Sequence, residues 1–237
     1  AAAAAREAEA SALRAMQAVA RLRGGVRISR VPADTNRLFP TNANKLSRFM
    51  MEAMYGPCRP LTAAWAQRGV LDSTAASDLF ARLRYYEEGT ARGEMLMAEA
   101  DGEIVGFADV SASLWLPMDR TFRLPAEVEG SRADGQLKAG VELRPYVSNL
   151  IVDASRRRSG VGRLLMEACE EAAAGWECAG AGMWLEVTAT NEVGMGFYER
   201  LGYVVDGCTA GNEVVREGEG GFQMKEVERC ILRKALR

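Results

Sequence analysis

The chain has 237 residues, 48% of them hydrophobic and 26% charged, which is enough to bury a core as one large domain or two small ones. Lys and Arg total 30 against 32 Asp and Glu, and a net charge of −2 argues against a dominantly electrostatic nucleic-acid binder. Histidine is absent. That excludes a Ser-His-Asp triad, a Cys-His pair, an HExxH zinc site and an imidazole base, so proton transfer falls to Glu, Asp, Tyr, Lys, Cys or water.

Residues 1–25 read as an Ala/Arg-rich extension. Ala8 to Arg23 has the composition and apolar spacing of a helix, which Gly24-Gly25 would stop. Six Arg and two Glu in the first thirty positions resemble the end of an organelle transit peptide, with an extension lacking any targeting role as the alternative. Val26 to Val31 alternates as a strand. Asn44 to Met54 and Thr74 to Glu87 read as helices, separated by the Pro- and Gly-containing segment Gly56 to Pro60. Met95 to Ala100 and Glu103 to Ala108 read as a hairpin around Asp101-Gly102, a pair suited to positive φ. Pro117 to Arg144 is charged and aperiodic and reads as an insertion loop.

Tyr146 to Val152 is an apolar strand. Gly160 to Ala174 is a helix whose Val161, Leu164, Leu165, Ala168, Cys169 and Ala172 form one apolar stripe. Met183 to Thr188 is a strand, Glu192 to Arg200 a helix, Tyr203 to Val205 a strand, Glu213 to Glu226 a polar loop and Arg229 to Ala235 a final strand. The class is α+β, and no linker splits residues 26–237 into two domains. Five cysteines with irregular gaps and no CxxC predict reduced, mostly buried thiols rather than a disulfide framework or zinc knuckle. No run approaches eighteen apolar residues, so no membrane span is expected.

Two segments carry chemistry. The first is Ser155-Arg156-Arg157-Arg158-Ser159-Gly160-Val161-Gly162-Arg163, directly after the Tyr146–Val152 strand. Two glycines at a helix start let backbone approach a ligand. The unpaired N–H groups of the first turn, aided by the helix dipole, suit a pyrophosphate. The segment lacks the Lys-Ser/Thr of a Walker A loop, and Leu165 stands where a dinucleotide fingerprint needs its third glycine. The second segment is Leu185-Glu186-Val187-Thr188-Ala189-Thr190-Asn191, followed by Phe197-Tyr198-Glu199-Arg200-Leu201-Gly202-Tyr203.

Together these segments resemble the GNAT family of N-acetyltransferases, nearest to the ribosomal-protein N-terminal acetyltransferases and similar in its lead and insertion to plastid members. The resemblance covers Tyr146 to Val205 best. It implies a mixed, mostly antiparallel sheet flanked by helices, in which the strands at Tyr146–Val152 and Met183–Thr188 run parallel and splay. It also implies acetyl-CoA as co-substrate, with no metal. Its pantetheine arm would pair with Leu150, Ile151 and Val152, and a backbone N–H near Ile151 would polarise the thioester carbonyl. The amides of Arg158, Ser159, Gly160, Val161, Gly162 and Arg163 would hold the pyrophosphate, with Arg157 at the mouth and Asn191 bonding the arm or a water.

The resemblance further assigns Glu186 as general base and Tyr198 as general acid. That pair serves amine acetylation without histidine, because an ammonium must lose a proton and a departing thiolate gains one. Gly194, Gly196 and the Asp153-Ala154 pair depart from the family pattern. The implied reaction is direct attack by a protein N-terminal α-amine or lysine ε-amine. A small amine, bound by the Tyr55–Trp65 region with Tyr85 and Tyr86, is one alternative acceptor; a non-catalytic acyl-CoA-binding subunit is the other alternative. The resemblance assigns the arginine cluster to cofactor phosphates rather than nucleic acid. The lead and the reduced-looking cysteines point to the plastid stroma, with cytoplasm or mitochondrion as alternatives.

Overall fold

The structure, a computed structural model, describes residues 25–32, 41–89, 91–124 and 142–236, together with the backbone of the short strand pair Arg132–Ala133 and Gln136–Leu137. The expected N-terminal helix, and most of the extension to which it belongs, lie outside the described residues.

In chain order the elements are β1 (Val26–Arg30), α1 (Thr41–Tyr55), α2 (Ala63–Glu87), β2 (Gly93–Ala100), β3 (Glu103–Leu116), β4 (Thr121–Arg123), β5 (Arg132–Ala133), β6 (Gln136–Leu137) and β7 (Glu142–Val152). They continue as α3 (Val161–Ala174), β8 (Met183–Thr188), α4 (Glu192–Arg200), β9 (Val204–Arg216) and β10 (Phe222–Lys234). One sheet runs β1-β2-β3-β7-β8-β10-β9, with β4 beside β3, and every neighbouring pair is antiparallel except β7 with β8. Helices cover both faces. Ala108, Val110 and Ala112 of β3 pack with Leu164, Leu165, Ala168 and Cys169 of α3. On the opposite face Phe107 meets Leu46, Met50, Leu79 and Leu83 of α1 and α2.

Local chemistry explains the ends of the elements. Thr62 caps α2 by accepting from the Trp65 N–H at 3.2 Å. Asp101 and Gly102 both take positive φ, 55° and 82°, and close the β2–β3 hairpin as their type predicts. Asn191 caps α4 by accepting from the Gly194 N–H at 2.9 Å, and a Cβ on Gly194 would lie 2.7 Å from Asn191 Nδ2. Gly194 is therefore the partner that its cap requires, which accounts for one departure from the family pattern.

Several expectations need correction. α2 starts eleven residues before Thr74, because the Thr62 cap sits upstream of a stretch whose Trp65 and Val70 remain exposed and blur the periodicity. The expected insertion loop Pro117 to Arg144 contains β4, which pairs with β3, and the first residues of β7. The expected polar loop Glu213 to Glu226 is instead the far half of a long hairpin, with only the tip between Arg216 and Phe222 unpaired. Cys208 and Cys230 face each other across β9 and β10 and form a disulfide, so five reduced thiols is wrong. The cysteine part of the compartment reading goes with it.

The sheet and α3 meet closely at one point. A Cβ on Gly106 would lie 2.9 Å from both Leu165 Cδ1 and Val161 Cγ1 and 3.3 Å from the Ile151 carbonyl oxygen. Gly106→Val is expected to cost about 1–3 kcal/mol by overpacking. Chemical denaturation would show this as a lower midpoint with an unchanged slope.

Candidate active site

β7 and β8 pair for only two positions, Tyr146 with Trp184 and Val147 with Leu185. Beyond them β7 continues to Val152 and β8 to Thr188 without further pairing to each other. The divergence has a local cause. Asn149 adopts φ 54°, and the β3–β7 register slips between Phe107 and Asp109, a bulge that bends β7. Leu150, Ile151 and Val152 therefore leave a strand edge facing β8 with no ladder partner there among the described residues.

A chain of hydrogen bonds closes around this opening. At the end of β7, Arg157 Nε donates to the Val152 carbonyl at 3.3 Å, and its Nη2 donates to the Ala53 carbonyl of α1 at 3.1 Å. At the end of α1, the carbonyls of Tyr55 and Pro57 accept from Arg216 Nη1 at 2.8 and 2.7 Å, while Tyr55 Oη donates to the Val214 carbonyl at 3.3 Å. On the next residue of β9, Glu213 accepts from Thr188 Oγ1 at 3.2 Å, at the end of β8. Glu219 at the hairpin tip also accepts from the Arg59 N–H and the Thr62 hydroxyl, and Gln67 Oε1 accepts from the Phe222 N–H. The far half of the β9–β10 hairpin thus arches to the α1–α2 loop.

The start of α3 meets the same opening. Arg158 and Gly160 take left-handed φ of 66° and 94°, and the first helical bond runs from the Leu164 N–H to the Gly160 carbonyl at 3.0 Å. The amides ahead of it belong to the turn of exposed Arg158, Ser159 and Gly160 and to the helix's first residues. A Cβ on Gly162 would approach the Phe197 ring to 3.3 Å and Val152 Cγ2 to 3.5 Å. The glycine keeps a gap between strand end, helix start and α4. Arg163 is exposed and pairs with Glu167 at 3.0 Å. Asp153 caps the turn before the arginines by accepting from the Ser155 N–H at 2.9 Å, which gives the Asp153-Ala154 departure a local role.

Glu186 lies on the face of β8 shared with Trp184 and Thr188, on the side of the arch. Burial raises its carboxyl pKa, while Arg229 at 3.5 Å and the more distant Arg123 oppose that rise. Tyr146, beside it on β7, has its hydroxyl raised by burial and then by the charge of Glu186, with a smaller effect of Tyr198. Tyr198 itself stacks edge-on between Phe197 and Tyr203, at centroid distances of 5.2 and 5.9 Å. Burial, with the Cys169 thiol nearby, pushes its pKa up to about 12. Tyr146 stacks on Phe122 at a centroid distance of 4.4 Å, and it went unnoticed in the sequence because it resembles any aromatic of an apolar strand.

A second group escaped the sequence. Asp109, fully buried on β3, accepts from Tyr86 Oη at 2.8 Å, Arg82 Nη1 at 3.2 Å and Ser148 Oγ at 3.2 Å. Burial raises its pKa, and Arg82 and the hydroxyls partly offset that. Ser148 precedes the Asn149 bulge, so the cluster ties α2 to the bend in β7. An acid inside the apolar run of β3 was the available signal. Tyr86 is committed to this cluster and borders a cavity of about 380 Å³ with Trp176. Trp65 lines a separate cavity of about 430 Å³ with Cys58 and Arg68. Of the aromatic residues named for a small-amine pocket, Tyr86 and Trp65 line different cavities. No cluster suited to a metal ion occurs among the described residues.

The profile of the Acetyltransferase (GNAT) family matches residues 60–203. The chain therefore belongs to that family and is an N-acetyltransferase using acetyl-CoA. Solved structures share its fold. A GNAT-family acetyltransferase from Streptococcus pneumoniae superposes with TM-score 0.55 at 15% identity, covering 88% of this chain and 98% of that one. Arabidopsis thaliana NAA60 in complex with acetyl-CoA gives 0.53 at 16%, covering 88% and 97%. The ribosomal-protein-S18-alanine N-acetyltransferase of Escherichia coli gives 0.50 at 17%, covering 89% and 94%. No curated protein matches at the sequence level.

Asp109→Ala is expected to leave Arg82 and Tyr86 without their buried partner. The cost is about 3–5 kcal/mol, read as a fall in Tm.

Proposed function

We propose that the enzyme acetylates protein amines by direct attack in a ternary complex, with an N-terminal α-amine as the favoured acceptor and a lysine ε-amine second. One observation carries the choice of acceptor: the chain of contacts that runs from Val152 through Arg157 and Ala53, then Tyr55 and Arg216, to Glu213 and Thr188. A chain end passes beneath such a bridge, whereas a lysine on a folded surface brings main chain on both sides and meets the arch. The ribosomal-protein-S18-alanine N-acetyltransferase of similar fold supports this reading.

The residues fit acetyl-CoA. The free edge of Leu150, Ile151 and Val152 offers amides and carbonyls to the pantetheine arm, including an N–H near Ile151 for the thioester oxygen. The turn and first helical residues from Arg158 to Arg163 offer N–H groups to the pyrophosphate, and the gap at Gly162 leaves room for it. Arg157 already bonds two carbonyls, so it acts here as a strut as well as a charge. Asn191 Oδ1 is engaged in capping, which leaves Nδ2 for the cofactor arm. Acetyl-CoA supplies the acetyl group as a thioester. Glu186 accepts the proton from the acceptor ammonium, and Tyr198, protonated at neutral pH, donates one to the departing sulfur.

Glu186 must be ionised to act, and burial lifts its pKa above the ordinary 4.5. As pH falls through the raised value the base is protonated and kcat/KM declines, so the acid limb lies above the ordinary carboxylate range. Glu186→Gln is expected to abolish that limb, measured by thiol release across pH. Tyr198→Phe is expected to lower kcat by roughly 10²–10⁴-fold with little change in acetyl-CoA affinity. Unchanged turnover would remove Tyr198 from the acid role.

The acceptor reading is tested by incubating the enzyme and acetyl-CoA with a peptide library and a panel of polyamines and arylalkylamines. Mass spectrometry should find acetyl groups on peptide N-termini; faster acetylation of the small amines would overturn it. Plastid targeting rests on the composition of the lead, and imaging a fluorescent fusion of the full precursor tests it.

A further inference from the structure

Arg229 stands between Glu186 and the arch. It pairs across the ladder with Thr188 on one side and Thr209 on the other, and its side chain emerges on the face that carries Glu186. Its Nη1 lies 3.5 Å from Glu186 Oε2, and its Nη2 donates to the Asn212 carbonyl of β9. The guanidinium reaches that carbonyl by lying across Gly211. A Cβ there would come within 2.8 Å of Arg229 Cδ and 3.0 Å of Nε. The glycine thus serves as the bed of the arginine, and any larger residue would lift it.

We propose that Arg229 is a positioning residue for the acetyl transfer: bedded on Gly211 and anchored to Asn212, its guanidinium aims the Glu186 carboxylate at the opening and keeps it ionised for the acceptor ammonium. The inference rests on Glu186 being the base. Other charged and titratable groups face the same carboxylate. Arg123 of β4 adds positive charge. Tyr146 of β7 lies close enough for its hydroxyl to feel the carboxylate, and that hydroxyl also feels Arg82 of α2 and Tyr198 of α4. Glu213 of β9, held by the Thr188 hydroxyl, is the acid on that side. Arg229 is the group in direct contact, and its effect on Glu186 outranks that of Arg123. Because Asn212 is on the arch, the base is oriented by the same hairpin that frames the acceptor.

The test compares wild type with Arg229→Met, Arg229→Lys and Gly211→Ala, each checked for folding by circular dichroism. Two readouts are followed across pH: kcat/KM by thiol release, and the Glu186 side-chain carboxyl ¹³C resonance, identified by its loss in Glu186→Gln. Arg229→Met should move the resonance midpoint and the acid limb together to higher pH. Activity should drop about tenfold at mildly acidic pH and recover at alkaline pH, with the acetyl-CoA KM unchanged. Arg229→Lys should restore part of the shift, and Gly211→Ala should reproduce it in weaker form. A midpoint or limb that stays in place in Arg229→Met overturns the proposal. If instead Glu186→Gln keeps the wild-type acid limb, Glu186 is not the base, while the resonance still reports whether Arg229 controls its ionisation.

Discussion

The two-residue length of the β7–β8 pairing is the constraint on which the rest of the molecule depends. Parallel strands normally continue their ladder, and the unpaired edge that results from stopping early carries main-chain groups that must find partners elsewhere. Here the stop is enforced from behind. Asp109 holds Ser148, the next residue takes a positive φ, and the register with β3 slips by one position. A buried carboxylate with three donors is a costly device for bending one strand. Its placement beside the opening, rather than deep in the α3 core, shows what the bend is for.

The electrostatics follow from the missing histidine. A carboxylate on a half-covered sheet face tends to become neutral, and a phenol in the same surroundings stays protonated. Glu186 and Tyr198 are shifted in the same direction by the same cause, burial, yet that shift has opposite consequences for them. In the proposed mechanism it suits Tyr198 as proton donor and hinders Glu186 as acceptor, so the proposed acceptor needs a cation and the donor does not. Arg229 and Arg123 stand beside Glu186, whereas Tyr198 is surrounded by Phe197, Tyr203 and Cys169.

What could be read from the sequence was what local chemistry decides. β8 and α4 fall on their expected residues because a strand alternation and an Asn191 cap are complete within a few positions. The glycine turn before α3 and the Asp101-Gly102 hairpin were legible for the same reason. The arch was not. Its two strands pair beyond the end of β8 with solvent on much of both faces, so no buried stripe marks Glu213 to Glu226 as strand. The Cys208–Cys230 bond needed the register of that same hairpin. Arg229 was named only as the first residue of a last strand, because its meaning lies in Glu186, Gly211 and Asn212, which are distant in the chain and meet only across three strands.

The arch has a further consequence. It is held along its length by main-chain ladder bonds and fastened at its tip by Arg216, which donates to the Tyr55 and Pro57 carbonyls, and by Gln67 of α2, which accepts from the Phe222 amide. Neither attachment uses the side chains of Thr209, Val215 or Val227, which by register share the sheet face of Arg229. Those positions are therefore free of the ladder and tip contacts that hold the wall. Under the proposed reading, the lining of the arch could then vary separately from the strand bend.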